Sequence, residues 1–172
     1  NTAGTIGAPP AGWTALPSLT GSSLSARAWT RTATATDPGA TFTVNTAALA
    51  KSDLSIAAYR ASAGSVAVLA SAGNLNTTGN TTVTSPSVPV TTTGSWVLTY
   101  WARKSSSTTS IWAVPAGQVL RTQSVGSGGG NISAMLTDSN AAVPVGTGGG
   151  VTTTLTEGSA QVPIYSVVVG LS

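Results

Sequence analysis

A chain of 172 residues is long enough to bury one core unaided, and it contains neither cysteine nor histidine. Charged residues are only 6% of the total, seven cations against four acids for a net charge of +3, and no basic run appears, which argues against nucleic acid as a partner. With 29 Thr and 23 Ser, small hydroxyls replace charge in wetting the surface, and no apolar run approaches the roughly 18 residues of a membrane span.

Taken in chain order, the elements read as short alternating runs bounded by Gly, Pro, Asn and Asp, with no sustained 3.6-residue apolar period. The chain opens on NTAGTIG without an initiator methionine, which reads as a processed product or a piece of a longer protein, with residues 1–8 as an extended arm or linker. Strands are predicted at 13–19, 24–35, 40–46, 54–60, 65–70, 81–90, 95–103, 109–114, 118–125, 131–137, 150–156 and 161–171. The helix-like patch TAALAKSD, 46–53, offers one turn at most. Between the strands, TDPG (36–39), NLNTTGN (74–80), KSSSTT (104–109), GSGGG (126–130), DSN (138–140) and GTGGG (146–150) carry turn and loop chemistry. Pro-Ala-Gly occurs twice, at 10–12 before Trp13 and at 115–117 after Trp112, as the lead-in to a strand. A dozen such strands predict an all-β fold with almost no helix: one β-sandwich domain over 1–172, jelly-roll-like.

Alternation assigns faces. In 24–33, Leu24, Ala26 and Ala28 share one face and Arg27, Trp29 and Arg31 the other; since two arginines do not sit unpaired in a core, Trp29 is expected outside among cations. By the same reasoning Trp96, Leu98 and Tyr100 are expected inside, and Trp101 with Arg103 outside. Trp29, Arg27, Arg31, Trp101 and Arg103 are therefore the candidate ligand-binding residues, with packing of the tryptophans under loops as the competing reading. Trp13 and Trp112 are expected to close the ends of the core.

The absence of His and Cys removes the common nucleophilic triads and zinc sets. Asp37, Asp53, Asp138 and Glu157 are the four acids, and each is placed where a turn or strand end accounts for it, so no catalytic residue is assigned. No cofactor is implied. Asp138 with Asn140 is the one local cluster for a structural calcium ion. The sequons at Asn76, Asn80 and Asn131 follow from a Ser/Thr-rich composition and identify nothing.

The ordered series PPAGWTAL, AWTRTATATDPGATFTV, LSIAAYRA, SWVLTYWARKSSSTTSIWAVPAGQVLRT and GSGGGNISAMLTDSNAAVPVGTGGGVTTTLTE resembles a β-sandwich domain of tail and other virion proteins of phages infecting actinobacteria. Similar modules occur in secreted actinobacterial surface proteins. The likeness runs from Pro9 to the C-terminus; one departure is AYRAS, where similar sequences carry glycine after Tyr-Arg. The resemblance implies a non-enzymatic, virion or extracellular module, a tail appendage or capsid decoration working in a homo-oligomer against other subunits or a cell-surface glycan. A carbohydrate-binding module of a secreted protein is the alternative.

Overall fold

The computed structural model describes residues 5–106, 112–158 and 161–171. The fold is all-β, and none of the described residues is helical. Its centre is an antiparallel sheet in the order β5-β13-β8-β10-β9, built from β5 (Val66–Asn76), β8 (Trp96–Ser105), β9 (Val119–Val125), β10 (Asn131–Asp138) and β13 (Val162–Leu171). Register aligns Trp101 with Ile164 and Met135, Thr99 with Ser166 and Thr137, and Val97 with Val168. Because side chains alternate across a strand, these residues share the inner face.

A second layer covers that face. β6 (Thr82–Thr84) pairs with β12 (Thr152–Thr154), and β7 (Ser87–Val90) with β11 (Gly146–Gly149), so the two hairpin arms form one ribbon with a joint in the middle. At the joint Pro86 has no N–H to offer, and the Val151 N–H donates to Ser85 Oγ at 3.1 Å. Gly149 and Gly150 turn there with φ of 72° and 65°, values that side chains with a Cβ rarely adopt. Trp112 bridges Leu155 along the ribbon. The result is a sandwich-like pair of layers.

Two apolar clusters fill the interior. Val83, Trp101, Trp112, Met135, Leu155, Val162 and Ile164 form one; Val88, Val90, Val97 and Val168 form the other. The two buried tryptophans remove on the order of 200 Å² of surface each from water, roughly 5 kcal/mol apiece by area.

The outer face of the sheet is also covered. Ala102, Ile132, Ala134, Leu136 and Tyr165 are buried there beneath the N-terminal third of the chain. This region contains only two-residue pairings, β1 (Thr14–Ala15) with β4 (Trp29–Thr30) and β2 (Leu19–Thr20) with β3 (Ser25–Ala26). The Tyr165 hydroxyl donates to Ala26 O at 3.0 Å, pinning the β2–β3 pairing to the sheet. Leu24 and Ala26 are buried, as the alternation expects.

Several predicted elements differ. No strand forms at 40–46 or 54–60, and 46–53 makes no helical turn; Thr46 contributes only an isolated bridge to Ile6. Residues 146–149, expected as a loop, are strand β11. The strand expected at 109–114 lies partly outside the described residues. Both Pro-Ala-Gly segments close turns, Trp13 N–H to Pro10 O and Gln118 N–H to Pro115 O, each 3.1 Å, with Gly12 and Gly117 at positive φ as a type II turn requires. Trp112 joins the core, whereas Trp13 stands half-buried with its ring edge-on to Phe42, 5.2 Å between centroids.

Candidate functional site

The five residues expected to bind a ligand are not brought together. Trp101 and Arg103 are 0% exposed, so the outward reading of that pair is overturned. Thr99, Trp101 and Arg103 face the ribbon, while Trp96, Leu98 and Tyr100, expected inside, lie half-buried on the outer face. The period was right and the side was wrong. Arg103 Nη1 donates to Glu157 O, its Nη2 stands 3.8 Å from Glu157 Oε2, and burial lowers its pKa against the opposing pull of Glu157. Among the described residues its Nε and Nη2 find no hydrogen-bond acceptor.

Trp29 is half-buried on β4. Its two arginine neighbours are engaged elsewhere. Arg27 donates to Thr20 Oγ1 and Ala26 O, and Arg31 pairs with Asp37 at 2.7 Å while lying over the Phe42 ring at 5.0 Å. The Thr34 backbone N–H, with its hydroxyl and Arg31, holds the Asp37 carboxyl below its ordinary value.

The proposed calcium ligands are occupied by a side-chain cation. Arg121 Nε donates to Asp138 Oδ2 at 2.6 Å and Nη2 to Oδ1 at 2.8 Å, and Nη2 also reaches Asn140 Oδ1 at 2.6 Å. Tyr59 O–H and the Asn140 backbone N–H complete the set at 2.8 and 2.9 Å. With a guanidinium seated on both residues, Asp138 and Asn140 do not form an ion site, and among the described residues no group of three metal-ligating side chains occurs. Burial alone would raise the Asp138 carboxyl, but the bonds from Arg121, Tyr59 and Asn140 outweigh it and lower its pKa. Burial and then the Asp138 charge push the Tyr59 hydroxyl up.

This cluster anchors one end of a strap, residues 48–61, that crosses the outer face of the sheet. The strap makes no backbone–backbone hydrogen bond among the described residues, and side chains hold it instead. Lys51 Nζ donates to Ser127 O at 2.8 Å and Gly129 O at 2.9 Å. Asp53 accepts from Tyr100 O–H at 3.0 Å, Ser124 Oγ at 2.5 Å and Ser55 Oγ at 3.0 Å. Tyr59 adds an edge-on contact to Trp96, and Arg121 lies over the same indole. Burial, and after it the Asp53 charge, drives the Tyr100 hydroxyl well above its ordinary value.

Asp53, Ser55 and Tyr59 thus face the sheet, and the aliphatic groups face water. Leu49, Leu54 and Ile56 are 106%, 72% and 72% exposed, a ridge along the strap. Exposed apolar groups gathered on one segment mark an interaction surface more often than scattered ones do. The sequence shows the alternation of Asp53 and Ser55 with Leu54 and Ile56, and the inward turn of the polar set comes from Tyr100 and Ser124, 47 and 71 residues away. No family model, curated protein or solved structure matches the chain.

Proposed function

We propose that this chain is a non-enzymatic structural or adhesion domain of an extracellular particle, a phage virion component such as a tail appendage or capsid decoration. It works through contacts with neighbouring subunits or with a host surface. The observation that carries the reading is the strap, whose aliphatic ridge faces water while Asp53 and Tyr59 bond to the sheet. The four carboxylates lend support, since each has a structural partner: Asp37 with Arg31, Asp53 with Tyr100 and Ser124, Asp138 with Arg121, Glu157 with Arg103. The resemblance to actinobacteriophage virion domains points the same way.

The carbohydrate-binding alternative retains one observation, the half-buried Trp29, whose indole face suits a sugar ring. Light scattering on the purified chain, together with retention on insoluble actinobacterial cell-wall polysaccharide, separates the two. An assembling chain, with Trp29→Ala behaving as wild type, supports the structural reading. A monomer whose retention on the polysaccharide disappears with Trp29→Ala overturns it.

A further inference from the structure

The backbone divides at residue 60. The β1–β4 and β2–β3 pairs and the Ile6–Thr46 bridge lie within 1–60, and every other strand pair among the described residues lies within 61–172. No backbone–backbone hydrogen bond among the described residues crosses from one part to the other. Side chains make the connection instead. Gln161 Oε1 accepts from the Ser23 and Leu24 N–H groups at 3.0 and 3.1 Å, Tyr165 donates to Ala26 O, and the strap adds Lys51, Asp53 and Tyr59.

The junction between the parts is open to solvent. Arg60 is exposed, with neither an ion pair nor a hydrogen bond among the described residues, and 62–64 are exposed bends ending on Gly64 at a φ of 78°. Exposed loops of small residues whose backbone is not paired are where chains are nicked, because a protease binds its substrate through that backbone. The other six cations are withheld. Arg103 is buried, Lys104 lies in the paired ladder of β8 with β10, and Arg121 is clamped on Asp138. Arg31 is paired with Asp37, and Arg27 bonds to Thr20 and Ala26. Lys51 is folded onto Ser127 O and Gly129 O, two positions from the anchored Asp53.

We propose that the Arg60–Ala61 peptide bond is a processing site for a serine protease that takes a basic side chain into a pocket ending in a carboxylate. Hydrolysis adds one water across the bond: the oxygen goes to the Arg60 carbonyl carbon and a proton to the Ala61 nitrogen, leaving a carboxylate on Arg60 and an ammonium on Ala61. Each part keeps its own pairings, since no backbone bond spans the cut. Residues 1–60 stay docked by side chains over the outer face, where Ala134, Leu136 and Tyr165 are buried. Only the tether is lost. In the intact chain a detached cover returns at the effective concentration its own connection sets, whereas after the cut it is a separate chain that can leave. The proposal goes beyond the assembly reading and does not depend on it.

Limited digestion of the folded 172-residue chain with trypsin, followed by intact mass and gel filtration, tests this. The first cut is expected after Arg60, giving 1–60 and 61–172, which elute together in native buffer and part in urea. Arg60→Gln is expected to lengthen the life of the intact chain by more than about tenfold. Its thermal midpoint should match wild type, because the Arg60 side chain is exposed and unpaired among the described residues. A first cut at any other Lys or Arg, or a chain that resists trypsin throughout, overturns the processing site. Fragments that part at once in native buffer overturn the docked cover. Light scattering on the uncut chain reports assembly separately, so neither result bears on that reading.

Discussion

Arg121 grips Asp138 side-on, with Nε 2.6 Å from Oδ2 and Nη2 2.8 Å from Oδ1, and so ties the edge strand β9 to its neighbour β10. The same carboxylate receives Tyr59 from the strap and the Asn140 N–H from the following turn. Asp138 is 0% exposed, so its removal strands several donors at once. Asp138→Ala is expected to cost on the order of 3 kcal/mol in urea unfolding and to loosen the strap. Hydrogen exchange at the Arg121 and Asn140 amides should report the local part of that loss.

Acid titration gives a second check on the same group. Folded Asp138 lies below its ordinary value of 3.8, so in the acid range the unfolded chain binds the extra proton. The stabilisation is complete above about pH 5 and fades as pH falls through about 4 toward the folded value. Wild-type stability should therefore drop below about pH 4, and Asp138→Asn should flatten that drop. Asp37, also lowered, leaves a residual slope.

Trp101 is a core residue, enclosed with Trp112, Met135 and Ile164. Trp101→Ala is expected to destabilise the fold by about 3 to 5 kcal/mol through the cavity it leaves. Denaturant unfolding measures the loss.

Arg103 gives the opposite expectation. Its guanidinium is buried, with two nitrogens lacking an acceptor among the described residues and one held by a carbonyl. Replacing a poorly satisfied buried charge with an apolar chain of similar length is often neutral or favourable, so Arg103→Met should fall within about 1 kcal/mol of wild type or exceed it. A loss above about 3 kcal/mol, the penalty for breaking a well-formed buried pair, would mean that the ion pair with Glu157 carries the site.

At the ribbon joint, a Cβ on Gly149 would clash with Pro86 O and lie 3.0 Å from Ser166 Oγ, at a φ of 72°. Gly149→Ala is expected to lose more than about 1 kcal/mol, since the clash adds to the left-handed strain. Gly117→Ala, also at positive φ but with open space around its Cβ, should lose less. Paired melting curves compare the two.

The all-β class was legible from the residues alone, because Thr-rich runs alternating apolar with polar leave no helical stripe to bury. So were the strands near β5, β8, β9, β10 and β13, and the pairing of Trp101 with Arg103 on one side of β8, since alternation fixes parity. Which side faced the interior was not. The rule that unpaired arginines stay outside presumes that one face of the strand meets water, and β8 has no such face: the ribbon covers one side and the N-terminal chain the other. Residues 54–60 show the same limit. Their alternation reads as a strand, but they lie across the outer face of the sheet, where Tyr100, Ser124 and Asp138 capture the polar set and leave Leu54 and Ile56 in water. Local pattern determined the strand period and the turns, whereas the choice of face depended on hydrogen-bond partners 47 to 79 residues away, which only the folded chain brings together.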